Sequence, residues 1–231
     1  MKETLMRLGM CYEDRVYEDL ERYMKMLDEK NRVMDLTNVP LEEMPLRHFA
    51  DSLMPFCRGL IPASGSLADV GTGAGFPGLP AAIVYRDMKV TLIDAQRKRC
   101  DFLEEVKAEL ELDNVTVLHL RAEDAGKNVA LREQFDTVCA RAVAPLNVLA
   151  EYLLPLVRVG GRAVCWKGPG VKDEEESGRK AALMLGAGGL TVEDMRVEDM
   201  AHCAVVMKKT DKTPGRYPRK SGMPSKMPLG V

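Results

Sequence analysis

The densest chemistry in the chain lies in ten consecutive residues, Asp69-Val70-Gly71-Thr72-Gly73-Ala74-Gly75-Phe76-Pro77-Gly78. They follow an apolar run, Ser66–Val70, and precede a helix-like stretch, the context in which a glycine-rich turn lets a ligand approach the backbone closely. Gly73 to Gly78 satisfies G-x-G-x-x-G, so a dinucleotide is one candidate ligand. Asp69 favours another. A carboxylate at the head of the loop repels a pyrophosphate, yet suits S-adenosyl-L-methionine, whose methionyl half carries an ammonium and a sulfonium. Gly71 and Gly73 would form the backbone floor of that site. Asp94, nineteen residues past Gly75, ends the next apolar run. It can accept hydrogen bonds from ribose hydroxyls, and so points to adenosine whatever the adenosine is attached to. Ala122-Glu123-Asp124 follows a third run, where a backbone amide and a carboxylate could read the adenine edge. Surface acids are the competing reading of Glu123 and Asp124.

Two cations close later runs: Arg141 ends the fourth and Lys167 the fifth. Ends of adjacent central strands point into one cleft, so both are candidates to position an anionic substrate, and Arg141 also the cofactor. A structural pair of Arg141 with Asp69 or Glu123 is the alternative. Arg47, His48, Asp51 and Ser52 form a further group, with Arg47/Asp51 and His48/Ser52 each four apart on a predicted helix. That helix could wall a nucleotide pocket, or Arg47 and Asp51 could simply pair. Trp166 beside Lys167 could stack a base, although packing at a strand end also explains it. From Met207 to Lys226, seven basic residues face one acid, Asp211, in a chain of net charge −2. A basic tail on an acidic body predicts an anionic partner met through the tail, with Arg216, Arg219 and Lys220 on phosphates.

Positioning these groups requires a sheet. Apolar runs at Ser66–Val70, Lys89–Asp94, Val115–Leu120, Phe135–Ala142, Gly161–Trp166, Leu190–Val197 and His202–Lys209 alternate with helical segments near 78–86, 97–110, 145–157 and 172–187. Strand–helix alternation predicts right-handed crossovers and a mostly parallel, doubly wound sheet. The last two runs are joined only by a turn near Asp199–Ala201, so they must be antiparallel. The expectation is an α/β protein with the Rossmann-like seven-stranded sheet of class I methyltransferases. Helices over about 12–34 and 40–56 precede the sheet. The chain divides into an N-terminal helical extension (1–60), a cofactor-binding domain (61–209) and a basic tail (210–231). After Lys209 no periodic apolar face remains to be buried; a disordered tail is the plain reading, and the sequence leaves open whether the tail is ordered.

Composition narrows the class. No stretch approaches the roughly 20 apolar residues of a membrane span, and Met1-Lys2-Glu3-Thr4 opens no apolar signal core. A soluble cytoplasmic protein is expected, with nothing suggesting an obligate oligomer. The six cysteines stand singly, without a C-x-x-C pair, which argues against a zinc site or a disulfide framework.

With these residues in hand, the sequence resembles the RNA guanine-N7 methyltransferases historically called glucose-inhibited division protein B. Arg47-His48-Phe49-Ala50-Asp51-Ser52-Leu53 is similar to the family's R-H-x-x-D-S-L signature, and Asp69–Gly78 to its glycine loop. Arg141-Ala142, Lys167-Gly168 and the tail Arg216–Pro224 also match. Asp35 stands where the family commonly has Asn, and Ala140 where serine is frequent. The resemblance spans about Asp35 to Lys209. It implies methyl transfer from S-adenosyl-L-methionine to N7 of a guanine in 16S (small-subunit) rRNA, with naked RNA or the small ribosomal subunit as partner. It also implies cofactor contacts at Gly71, Phe76, Asp94, Ala95, Ala122, Glu123 and Arg141. Arg47, His48, Arg141 and Lys167 would then serve the reaction, and Arg47, Ser52 and Lys167 would meet RNA. Guanine N7 has a lone pair and no proton, so no general base is needed, and alignment and desolvation would carry the rate. A methyltransferase of other substrates, a dinucleotide-dependent oxidoreductase and a non-catalytic adenosine-binding RNA module stay open.

Overall fold

Ser66–Val70 (β1) sets the architecture because Leu67 to Val70 are buried in succession, as in a strand covered on both faces. Its side chains divide with the period of two: Leu67 joins the apolar cluster on one face, Ala68 and Val70 the cluster on the other. Lys89–Asp94 (β2) does the same, sending Leu92 one way and Ile93 the other. The computed structural model describes residues 1–141, 144–198 and 200–231. Ala142, of the Arg141-Ala142 motif, and Asp199, of the expected turn, lie outside the described residues.

Val115–His119 (β3), Phe135–Arg141 (β4), Val157–Lys167 (β5), Ala187–Asp194 (β6) and Cys203–Lys209 (β7) complete a seven-stranded sheet of order β3-β2-β1-β4-β5-β7-β6. β1 pairs in parallel with β2 and β4, β2 with β3, and β4 with β5. β7 runs antiparallel to both β5 and β6. This is the class I methyltransferase sheet with its inserted antiparallel strand. Asp69, Asp94, Arg141 and Lys167 therefore all come from the carboxyl half of neighbouring strands.

On one face lie Lys2–Arg7 (α1), Asp14–Met34 (α2), Asp51–Cys57 (α3), Gly78–Val84 (α4) and Arg97–Glu109 (α5). Ala122–Lys127 (α6), Leu146–Leu153 (α7) and Val171–Met184 (α8) flank the other face. The single helix expected over 40–56 is three pieces: a 3₁₀ turn Leu41–Glu43, a π-helix Pro45–Ala50, and α3. Pro45 has no N–H with which to continue the ladder from the turn before it, and a π segment marks many functional sites. The helix expected over 145–157 ends at Leu153, just before Pro155, and β5 starts at Val157, four residues earlier than expected. The short α6 was not expected as an element at all.

The tail, whose order the sequence leaves open, is folded. Tyr217 and Pro218 are buried, Met223–Lys226 forms a short helix (α9), and Asn147 Nδ2 donates to Leu229 O at 3.1 Å. Arg132 satisfies its carbonyls, donating to Thr213 O (2.7 Å) and Tyr217 O (2.8 Å). Lys209, fully buried, donates to Leu154 O at 2.6 Å and to the Thr213 hydroxyl. Burial pushes its ammonium down to about 8, while Glu133 opposes the shift. A segment without apolar periodicity is thus fixed by polar anchors from distant elements. Among the described residues, no helix is long and apolar enough to cross a membrane.

Candidate active site

Two cavities open at the carboxyl edge of the sheet. The first, of about 240 Å³, is lined by Gly71, Asp94, Ala95, Ala122, Glu123 and, from the far side, Tyr152 and Gly222. The second, of about 360 Å³, is lined by Arg47, His48, Asp51, Arg141, Trp166, Lys167 and His202. A larger cavity of about 800 Å³ between α2 and α4 lies at the amino ends of β1 and β2, away from these groups.

The glycine loop builds the wall of the first cavity. Gly73 has φ +60°, and a Cβ there would meet nothing within 4 Å, so the turn requires glycine for conformation, not for space. Gly78 is the reverse case: a Cβ would overlap Leu92 Cδ2, so its absence lets α4 lie against β2. Asp69 organises the loop. Its Oδ2 accepts from Thr72 Oγ1 (2.7 Å) and Gly78 N (2.9 Å), while Oδ1 is buried without a hydrogen bond. Burial raises the Asp69 carboxyl to about 6, against the pull of those two donors. From the other layer, Tyr23 Oη donates to Ala74 O at 2.6 Å. Tyr23, a buried core residue of α2, is therefore also a loop anchor.

Occupancy of the loop's amides discriminates between the candidate ligands. Gly71 N and Thr72 N donate to Ile93 O, Gly73 N to Asp94 Oδ2 (2.9 Å), and Gly75 N and Phe76 N to Thr72 O. A pyrophosphate needs several free amides at such a turn, and here these five are spent. Asp69, expected beside the ligand, is instead fully buried outside the cavity lining and staples the loop. A pyrophosphate would still face the carboxylates of Asp94 and Glu123. The same acids suit a ligand of hydroxyls, amines and a positive charge, so the site fits S-adenosyl-L-methionine and not a dinucleotide. Asp94 is buried, with Gln96 N on its other oxygen at 2.8 Å. Ala95 O meets His119 Nε2 at 3.0 Å. Glu123, also buried, is no surface acid: its Oε1 accepts from Gly222 N at 2.8 Å.

The second cavity is held together by Asp51. This buried carboxylate accepts from Arg141 Nη1 (3.0 Å) and bonds His202 Nδ1 (2.7 Å), and its backbone oxygen accepts from Trp166 Nε1 (3.1 Å). Arg141 thus pairs with Asp51, not with Asp69 or Glu123. Arg141 Nη2 also approaches His48 Nδ1 at 3.2 Å, and its guanidinium lies 5.0 Å from the Phe76 ring centroid. His48 stacks on Phe76 at 4.6 Å, and its Nε2 meets Thr37 Oγ1 at 2.7 Å. Because a guanidinium only donates, His48 Nδ1 must accept and Nε2 must carry the proton. Burial, then the Arg141 charge, lowers His48 to about 4, keeping it neutral. His202 moves the other way: its bond to Asp51 raises it. Lys167 pairs with Glu174 at 2.7 Å, and Arg47 with Glu43. Ser52 is fully buried and donates to His48 O at 2.5 Å, which corrects its expected contact with RNA.

Phe76, buried in a cluster with Tyr23, His48 and Phe49, separates loop from helix rather than lining the first cavity with its ring. Arg219 needs a second correction. Its guanidinium clamps the fully buried Glu151 (2.6 and 3.0 Å), so it is spent inside the fold. Arg216 and Lys220 remain exposed. His202, Tyr152 and Gly222 did not stand out in the sequence. The one signal for His202 was its place at the head of β7, whose Cys203 is in register with Lys167.

The family model for rRNA small subunit methyltransferase G matches residues 16–202. The chain belongs to that family. It is 42% identical over 234 residues to ribosomal RNA small subunit methyltransferase G of Alkaliphilus metalliredigens, covering 99% of this chain and 97% of that one. The Clostridium beijerinckii protein of the same name is 43% identical over 232 residues, with the same coverage. Among solved structures, MtNAS in complex with S-adenosylmethionine shares the fold at TM-score 0.57 and 15% identity, over 85% of this chain and 77% of that one. The family is one of methyltransferases.

Proposed function

We propose that the protein transfers the methyl group of S-adenosyl-L-methionine to N7 of a guanine in small-subunit ribosomal RNA. The observation that carries this reading is the pair of adjoining cavities, one lined by acids and the other by cations paired to acids. The names of the relatives at 42–43% identity support the substrate class. The bound cofactor supplies an electrophilic methyl group on a sulfonium. Asp94 receives the ribose hydroxyls, Ala95 and Ala122 flank the base, and Glu123 takes the adenine amino group. Gly71 and Gly73 shape the turn that the cofactor lies against, with Asp69 as the staple of that turn.

In the second cavity, Arg141 is locked by Asp51 and His48, so its remaining N–H groups can hold a phosphate or the guanine O6 edge in one direction. Lys167 offers a second anchor from the adjacent strand, and Trp166 closes the floor. Arg47 lies at the rim. His48 stays neutral beside the purine, where a second buried cation would oppose the positive charge arriving on it. N7 carries no proton, so no residue has to remove one. Arg216 and Lys220 extend phosphate contacts beyond the pocket.

Purified protein with radiolabelled S-adenosyl-L-methionine should label small-subunit RNA or undermethylated small subunits, and not large-subunit RNA. The label should sit in guanines that alkali and aniline cleave. Label confined to proteins or small molecules, or to guanines that resist this cleavage, would refute the assignment.

A further inference from the structure

The first cavity has a wall that the cofactor reading leaves unused. Gly222 and Ser225, more than 120 sequence positions from the glycine loop, line it together with Tyr152. Gly222 N donates to Glu123 Oε1 at 2.8 Å, and Tyr152 Oη meets Ser225 Oγ at 2.8 Å. Among the described residues, Glu123 Oε2 takes no hydrogen bond. A carboxylate fixed through one oxygen presents the other in a defined direction. The segment that provides this fixation is itself anchored three times. Arg219 clamps Glu151 through both its backbone N–H (2.8 Å) and its guanidinium. Arg132 Nη1 bridges Gly126 O and Tyr217 O at 2.9 and 2.8 Å. Pro218 lies so close to Gly126 that a Cβ there would stand 2.8 Å from Pro218 Cγ. Gly126 belongs to α6, the helix that carries Glu123 in its first turn. Two of these anchors therefore grip the element whose carboxylate the segment orients, and the third ties the segment to α7.

We infer that residues 217–226 form the adenine-end wall of the cofactor site, and that the Gly222 N–H sets base selectivity by holding Glu123 to accept the adenine 6-amino group. This deepens the proposed function and rests on its assignment of the first cavity to S-adenosyl-L-methionine. An amino group donates to the free Glu123 oxygen, whereas the carbonyl of an inosine analogue would meet it as acceptor against acceptor. The preference for adenine over hypoxanthine thus depends on the carboxylate staying in place.

The test measures calorimetric binding of S-adenosylhomocysteine and S-inosylhomocysteine to the full-length protein. Gly222→Pro removes the donor N–H and, because Gly222 sits at φ +81°, also displaces the chain there. Glu151→Ala combined with Arg219→Ala releases the segment without stranding a charge. Wild type should prefer the adenosyl ligand strongly. Each variant should lose about tenfold of that preference, mainly through weaker binding of the adenosyl ligand. Equal weakening of both ligands, or no change in their ratio, would overturn the inference while leaving the cofactor assignment intact. Failure of wild type to bind S-adenosylhomocysteine would instead overturn the assignment, and the inference with it. Hydrogen exchange on unmutated protein adds a measurement independent of how the variants fold. Amides of 217–226 should slow when S-adenosylhomocysteine binds, and unchanged exchange there would count against the wall.

Discussion

Neutral His48 makes a quantitative prediction about pH. Its Nδ1 faces the Arg141 guanidinium at 3.2 Å and its Nε2 the Thr37 hydroxyl at 2.7 Å. Protonating Nδ1 would set an N–H against a cation. Burial already penalises the charged ring, and with this cation it lowers His48 from 6.5 to about 4. At 1.36 kcal/mol per pH unit, the lowering corresponds to about 3 kcal/mol. The folded pKa lies below the unfolded one, so the unfolded chain binds this proton first. The stability tied to neutral His48 is therefore complete above pH 6.5 and is lost as pH falls toward 4. His48→Gln keeps one donor and one acceptor but has nothing to titrate. Urea unfolding of both proteins from pH 7.5 to 4 isolates the effect, because every other group is common to them. Asp69, raised to about 6, favours the folded state as pH falls and would hide part of the loss in wild type alone. The stability difference between wild type and His48→Gln should shift by about 3 kcal/mol over this interval. Parallel curves would refute the neutral, Nε2-protonated assignment.

Arg219→Ala strands the buried Glu151 carboxylate and should cost about 3–5 kcal/mol, whereas Lys220→Ala, on the exposed surface, should stay within about 0.5 kcal/mol; equal effects in denaturant unfolding would contradict the internal role of Arg219. Gly78→Ala places a methyl group against Leu92 and should destabilise by about 1–3 kcal/mol, read as a lower melting temperature together with weaker S-adenosylhomocysteine binding. Arg141→Lys keeps the charge but cannot span Asp51 and His48 together, so methyl transfer should fall on the order of a hundredfold; wild-type turnover would remove Arg141 from the reaction. Stability held by the His202–Asp51 bond is complete below the unfolded histidine pKa and is lost as pH rises through the raised folded value. His202→Gln should remove that alkaline-side loss from the unfolding profile, and an unchanged profile would refute the pairing.

What could be read from the sequence follows how locally each feature is encoded. β1 and β2 were legible to the residue because apolar runs bounded by turn residues are local signals, and the glycine loop is contiguous. The hairpin of β6 and β7 followed from the lack of room for a helix between them. The contacts of Asp51 were not legible, since its partners Arg141 and His202 lie 90 and 151 positions away. Spacing on one helix suggested Arg47 as its mate, the only partner that spacing can propose. The order of the tail was not legible for a related reason. A Pro-, Gly- and Arg-rich segment has no periodic face, and its order comes from Glu151, Arg132 and Glu123, none of which its own composition reveals. Arg219 was therefore counted as a free surface charge when its carboxylate was waiting on α7.

The two cavities make sense together once charge is followed through the reaction. Positive charge leaves the cofactor side and arrives on the purine, so an efficient site should lose little on the first side and resist little on the second. The first cavity is lined by the Asp94 and Glu123 carboxylates. The second contains the cations an RNA phosphate requires, but its two partly buried ones are matched: Arg141 by Asp51 and Lys167 by Glu174. Of the two histidines, the buried one is held neutral and the half-exposed one is tied to Asp51. Matching leaves the donors of Arg141 and Lys167 directional while cancelling most of the field they would exert on the forming methylguanine. Arg141 touches Asp51, His48 and Phe76 at once, and Phe76 belongs to the cofactor loop. A guanidinium fixed on all three ties the second cavity to the cofactor loop, which is why its replacement by lysine should damage turnover more than its retained charge would suggest.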